Sequence, residues 1–367
     1  MEHAFGAAPL AIGVEEELLL VAEAPPHDLD HIAGRIVARV GSPDVKPDVY
    51  EAMVEASSAV RGTAGDAAAD LERLRDAVRD AGGTVAGAGL HPAAAFGEVL
   101  HVRQPRYEQI HDSMRGLLER TPTCALHVHV GMPDPETAIA AFNRLRTHLP
   151  LLQALAAHSP YWHGRDSGFA TARAQLFRGF PRAVVPRAFA GWDEYCEIIT
   201  AWVAAGGLPD YTYLWWDIRP HPKLGTVEVR AMDAQSRLTS VAGLAELVHA
   251  LAAACADGHG RVEPAEALTE SSFRAGRDGL EATIWWDDAL RPVRDVAAET
   301  LALARPYARG GGLEEIERIL REGNGADRMR RAHAAGGMPA LLAQLVDESA
   351  HPLYGYTRTT VPIRTHS

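Results

Sequence analysis

The chain has 367 residues, 47% of them hydrophobic and 23% charged, with a net charge of −12 and a pI near 5.8. That is the length of one large domain or two modest ones, with an ordinary globular composition, and its acidic balance argues against nucleic-acid binding over the whole surface. No run of 18 apolar residues suggests a membrane span, and the acidic start lacks the basic region of a secretory signal; three scattered cysteines (Cys124, Cys196, Cys255) point to a reducing compartment, so the cytoplasm is expected.

In chain order, residues 10–22 read as the first strand, with Glu15 and Glu17 on one face because side chains alternate along a strand. A short amphipathic helix is expected from Asp28 to Val40. The stretch 45–55 carries Asp48, Glu51 and Glu55. It reads either as a strand over 53–58, with Glu55 facing Met53 and Ser57, or as helical to Glu51; Glu55 is the inward carboxylate in both cases. A helix over 66–81 stops at Gly82-Gly83. Residues 84–90 form a strand of small residues that lets another element approach its backbone closely.

A helix is expected over 106–119. Cys124-Ala-Leu-His-Val-His-Val-Gly131 then reads as a buried strand with His127 and His129 on one face. Helices follow at 135–149 and 151–157. Residues 159–186 form a long loop whose aromatics argue for order. After a helix over 192–204, a strand over 213–222 sets Asp217 and Arg219 on one face. Residues 225–232 complete a hairpin in which Glu228 and Arg230 share a face. From Ser240 the periodicity is helical, at 240–256, 263–275, 290–306, 313–322, 326–335 and 338–348. The tail from Pro352 is polar and loose. The pattern favours one continuous α+β domain over 1–367, sheet-rich over 10–235 with a helical layer over 240–350.

Strands that each show a polar i, i+2 pair backed by apolar residues imply one sheet face lined with carboxylates, imidazoles and guanidinium groups. Such a face is costly to bury unless its groups bind metal, ligand or one another. Glu15, Glu17, Asp48, Glu55 and Glu228 are hard oxygen donors, suited to Mg²⁺ or Mn²⁺ rather than zinc. Arg165, Arg173, Arg219 and Arg230 can make bidentate contacts to phosphate or carboxylate. Of the 36 cationic residues only Lys46 and Lys223 are lysine, and no G-x-x-x-x-G-K-[ST] occurs, so a nucleotide would be held by Arg, metal and backbone. Taken singly, each motif also has a plain structural explanation, such as a core histidine, a cross-strand ion pair or a solvated acidic edge. The recurrence of one alternation on several strands favours a site.

Four stretches carry a family resemblance: Gly13-Val-Glu-Glu-Glu-Leu-Leu-Leu-Val21, Ala125-Leu-His-Val-His-Val-Gly131, Gly164-Arg-Asp-Ser-Gly-Phe-Ala170 and Trp215-Trp-Asp-Ile-Arg-Pro-His-Pro-Lys-Leu-Gly-Thr-Val-Glu-Val-Arg230. With Gly323-Asn-Gly-Ala-Asp-Arg328, they resemble the carboxylate-amine ligase family, also called glutamate–cysteine ligase type 2. The resemblance covers about residues 10 to 350. It implies a curved antiparallel sheet forming a funnel flanked by helices, like glutamine synthetase and the guanidino kinases. It also implies ATP, Mg²⁺ and an amide-forming reaction through an acyl phosphate, with glutamate and L-cysteine as the default pair. Small-molecule carboxylate and amine partners follow, and a homodimer by family habit. Matched to the family's motifs, Glu15, Glu17, Asp48 and Glu55 would bind metal. One of His127 and His129, with Glu228, would contact metal or phosphate. Arg230 would stabilise the transferring phosphoryl group and Arg219 would meet substrate or phosphate. The same ligase chemistry on a different carboxylate and amine pair is the alternative, and two other classes compete: a metal-dependent hydrolase built on His127 and His129, and a ligand-binding protein without activity.

Overall fold

The computed structural model describes residues 1–353; the tail expected to be loose lies, from residue 354 on, outside the described residues. The strands are β1 (Ile12–Val21), β2 (Val45–Pro47), β3 (Met53–Ser57), β4 (Thr84–Ala86), β5 (Ala125–Gly131), β6 (Tyr161–Trp162), β7 (Arg165–Asp166), β8 (Ile218–His221), β9 (Thr226–Asp233), β10 (Thr283–Trp286) and β11 (Ala289–Pro292). Seven of them make one sheet in the order β2-β3-β1-β5-β9-β8, with β4 also on β1, and every pairing is antiparallel. The expected strands carrying the polar pairs are therefore neighbours.

β1 is the shared spine. One edge pairs Glu15–Leu19 with β3. The other pairs Ile12–Glu16 with β5 and then Leu19–Val21 with β4. At Glu17 and Leu18 that edge changes partner, and the Glu17 carboxylate accepts the Ala125 N–H at 2.6 Å. One face of the sheet carries the polar side chains. On the opposite face the cross-strand row Val14, Val128 and Val229 packs into the core beneath the helices.

The helices are α1 (Ala33–Val40), α2 (Ala64–Asp80), α3 (Pro105–Met114), α4 (Pro135–Leu145), α5 (Leu149–Leu155), α6 (Ala172–Phe177), α7 (Trp192–Ala204), α8 (Leu238–Ala256), α9 (Ala265–Asp278), α10 (Val293–Ala304), α11 (Gly312–Glu322) and α12 (Gly325–Ala350). By length and composition α8 could cross a membrane, but nearly all of it is buried among α2, α4 and α11. A large apolar core joins the sheet to most of these helices, and a second, smaller cluster of Leu18, Leu20, Ile36, Val54, Val78 and Val85 packs α1 and α2 on the sheet.

Several boundaries differ from the sequence reading. α1 starts five residues later than expected because 28–30 pair with the end of β1, through Ala22 N–H to Asp28 O and Asp30 N–H to Leu20 O. The stretch 53–57 is a strand. α3 ends at Met114 and gives way to a 3₁₀ turn over Arg115–Leu117. The helix expected over 135–149 is broken before α5 by Pro150, which offers no N–H. Residues 211–213 form a 3₁₀ turn capped by Asp210, so β8 is only Ile218–His221. The β10–β11 hairpin falls partly inside an expected helix; its turn residues Asp287 and Asp288 both have positive φ. The helices expected at 326–335 and 338–348 are both present within α12, separated by Gly336-Gly337, whose backbone is not helical.

The close approach expected at 84–90 is present. A Cβ on Gly87 would lie 2.1 Å from the Gln235 carbonyl oxygen, and one on Gly89 2.6 Å from the Asp233 carboxyl carbon. Gly87→Ala is expected to destabilise the fold by about 1–3 kcal/mol, read as a lower denaturant midpoint with an unchanged slope.

α12 is tied back to the sheet through Glu348, which accepts hydrogen bonds from Ser236, Arg237 and Gln344 and sits 3.4 Å from Arg328 Nε. Burial works against its charge, but Arg328, Ser236 and Arg237 outweigh it and hold the carboxyl at about 2. A carboxylate depressed in this way stabilises the fold above its unfolded pKa and loses that contribution as pH falls through the folded value. Wild type is therefore expected to lose about 3 kcal/mol more than Glu348→Gln between neutral pH and pH about 2, by urea unfolding across that range.

Candidate active site

The polar face of the sheet opens into a cleft of about 990 Å³, counted out to its mouth. Register fixes what meets there. Glu15 lies opposite Ser57 on β3 and His127 on β5, and Glu17 lies opposite Glu55. His129 lies opposite Glu228, which lies opposite Arg219. The β5–β9 register shifts between Leu126 and Val128, a bulge that lies alongside His127 and Arg230. Asp48 enters from the turn after β2.

The acidic and basic groups interlock. Glu15 Oε2 is 3.5 Å from His127 Nδ1 and 3.6 Å from His129 Nε2. His129 Nε2 is also 3.8 Å from Glu228 Oε1, while its Nδ1 meets Thr226 Oγ1 at 3.0 Å. His127 Nε2 is 3.8 Å from Glu17 Oε1. Glu228 is fully buried and accepts from both Arg219 and Arg230. Arg219 is held further by the Thr212 and Leu214 carbonyls at 2.8 and 3.1 Å. Arg173 reaches the cleft from α6 and lies 3.6 Å from Asp233, whose carboxylate is fixed by His158 N–H, Ser159 and Thr171.

These surroundings split the carboxylates into two sets. Burial opposes the charge on Glu15, but His129 and His127 outweigh it and hold the group well below its ordinary range. Burial likewise opposes the charge on Glu228, and Arg219, Arg230 and His129 overcome it. Glu17 is pushed up to about 8 by burial and by Asp48, and Glu55 to about 7 by burial and by Glu15. Burial also raises Asp48. The imidazoles diverge in the same way. His127 falls to about 4 through burial and Arg230, whereas Glu228 and Glu15 lift His129 against burial.

Glu15, His129 and Glu228 offer ligand atoms all within 4.8 Å of one another. His129 Nε2 and His127 Nδ1 are buried and lack a hydrogen-bond partner, as is Arg230 Nε. Buried polar atoms left unpaired are rare in finished structures, so a bound group fits this wall. The set Glu15, His129 and Glu228, two carboxylates and one imidazole, suits a hard divalent ion.

Of the residues singled out from sequence, Glu15, Glu17, Asp48, Glu55, His127, Arg173, Arg219 and Arg230 line the cleft, with His129 and Glu228 directly behind. Arg165 does not join them: it is exposed on β7, in the small β6–β7 hairpin. The residues 159–173 that carry it divide, with Arg173 turned inward and Arg165 outward. Asp217 also stays apart from Arg219 and pairs with Arg178. The sequence reading missed Arg106 and Tyr107, which α3 aims into the cleft beside Thr212 and Trp215. Pro105 at the start of α3 was the available signal for where that helix begins.

Residues 11–347 match the family described as glutamate-cysteine ligase family 2. The glutamate–cysteine ligase of Halobacterium salinarum is 36% identical over 292 residues, 74% of this chain and 80% of that protein. That of Haloquadratum walsbyi is 32% identical over 360 residues, 91% and 94% of the two chains. In fold, the chain is similar to glutamate–cysteine ligase from Francisella tularensis, crystallised in complex with AMP. The TM-score is 0.70 at 13% identity, covering 93% of this chain and 89% of that one. The architecture is the glutamine synthetase-like one, an antiparallel sheet that stays open and is flanked by helices. By sequence along nearly its whole length, the chain belongs to glutamate-cysteine ligase family 2, whose members are enzymes that form carbon–nitrogen bonds.

Proposed function

We propose that this enzyme is an ATP- and Mg²⁺-dependent carboxylate–amine ligase that joins glutamate to L-cysteine through an acyl phosphate. The observation that carries this reading is a single cleft in which Glu15, Glu17, Asp48 and Glu55 face Arg173, Arg219 and Arg230. Phosphoryl transfer between a nucleotide and a carboxylate brings several negative oxygens together. Little covalent work falls to the protein, and positioning and charge stabilisation dominate.

In this reading the carboxylate wall, with His129, would hold Mg²⁺, which would supply charge neutralisation for the triphosphate. Arg230 is partly buried beside Glu228 and lines the cleft, where it would meet the transferring phosphoryl group. Arg219, clamped by two carbonyls and Glu228, is a fixed cation for a phosphate or a substrate carboxylate. The amine then attacks the acyl carbon: the amide C–N bond forms as the C–O bond to phosphate breaks, inorganic phosphate leaves, and the departing phosphate takes up the proton the amine sheds.

The test is nucleotide turnover with Mg²⁺ against a panel of amino acids and other small carboxylates with amine partners, scoring phosphate and pyrophosphate separately. Phosphate release that needs both glutamate and cysteine is expected. Release with another pair keeps the chemistry and changes the substrates. Pyrophosphate release would overturn the acyl phosphate, and turnover without ATP would point to a hydrolase.

A further inference from the structure

A second cluster of ligating side chains sits outside the cleft, behind one of its walls. His101 belongs to the segment that returns to pair with Tyr50. His111 lies on the outer side of α3, and Glu119 follows the 3₁₀ turn after it. One ring nitrogen from each histidine and one Glu119 oxygen lie within 4.8 Å of each other. His111 Nε2 is 3.5 Å from Glu119 Oε1, and the two rings meet edge-on with centroids 4.6 Å apart. His101 Nε2 is buried and has no hydrogen-bond partner.

Donor atoms at these separations are too far apart to hydrogen-bond well, but they suit a shared cation about 2.0–2.2 Å from each. Two imidazoles and one carboxylate select a borderline transition ion over Mg²⁺, which prefers oxygen alone. The half-exposed His111 leaves a path from solvent, and Asp112 Oδ1, 3.9 Å from His111 Nδ1, adds negative charge to the approach. Nothing in the ligase chemistry draws on these residues.

We propose that His101, His111 and Glu119 form a binding site for a Zn²⁺-type divalent cation, separate from the cleft metals. The ion clamps three segments together: the 93–104 loop, α3, and the turn that ends at Glu119. Arg106, Tyr107, Ile110, Met114 and Leu118, on and just after α3, line the cleft, so occupancy stiffens a substrate-facing wall. The clamp acts through binding, so it moves KM and leaves kcat in place.

The probe is Co²⁺, titrated into the metal-free full chain in excess Mg²⁺ and followed by its visible absorption. One equivalent is expected to bind wild type and Glu15→Gln alike. His111→Ala and His101→Gln are expected to bind it about tenfold or more weakly. Zn²⁺ is expected to raise the thermal midpoint of wild type and not of these two variants. Equal Co²⁺ binding by His111→Ala, His101→Gln and wild type, loss of the site in Glu15→Gln, or no binding by wild type would each overturn the proposal.

Discussion

Glu15→Gln is expected to reduce turnover by about 10²–10³-fold while leaving the thermal midpoint within about 2 °C of wild type. Glu15 is where the two imidazoles converge, and both keep its carboxylate charged. Glutamine preserves shape and an accepting oxygen but removes the charge. His129 then keeps only Glu228 as an anionic neighbour, and the cluster Glu15, His129 and Glu228 loses one of its hard donors. The backbone of β1 is held on both edges, so the fold does not depend on this charge. Steady-state turnover and a thermal scan decide the matter. Unchanged activity would remove Glu15 from the site.

The residue next to it is expected to behave in the opposite way. Glu16 points to the other face of the sheet and is fully buried with Arg75, whose Nε and Nη2 each donate to one of its oxygens at 2.7 Å. Arg75 also donates to the carbonyls of Ser236 and Gln235 at 2.6 and 2.8 Å. This one guanidinium joins α2, β1 and the β9–α8 connection. Arg75→Met leaves a buried carboxylate and two carbonyls without their partner, and a cost of about 3–5 kcal/mol is expected. Urea unfolding measures it. Glu16→Gln combined with Arg75→Met is expected to cost less than the sum of the two, because each single change strands the other group. The turnover of the molecules that remain folded is expected to hold. In one acidic triplet, the proposed function assigns Glu15 to the reaction, while Glu16 is bound into the fold by Arg75.

That division was legible in part. Alternation alone placed Glu15 with Glu17, His127 with His129, and Glu228 with Arg230, because a strand has a fixed period of two. It could not say what the Glu16 face would meet, since Arg75 comes from a helix 59 residues away. Arg106 and Tyr107 escaped for the same reason: α3 reaches the cleft by packing, and nothing local separates Arg106 from the other arginines of an arginine-rich chain. Arg165 and Arg173 looked alike in sequence. Only the turn of the β6–β7 hairpin and the Thr171 cap of α6 send one out and the other in. The β10–β11 hairpin was readable in principle from Thr283-Ile-Trp-Trp286 followed by Asp-Asp, a β-rich run before a turn. The helical period that follows drew the helix start too early.

β1 borders three strands, and its residues Glu15, Glu16 and Leu19 have a paired strand on each side. In terms of local opening, its amides are released only when most of the sheet comes apart, so their exchange with solvent tracks global unfolding. The opposite wall of the cleft rests on α3, a 10-residue helix, and on α6, with 6. Short peripheral helices open at a smaller free energy than central strands. Glu15 and Glu17 are therefore expected on the slowest-exchanging part of the molecule, bordered by a wall expected to open at a smaller free energy.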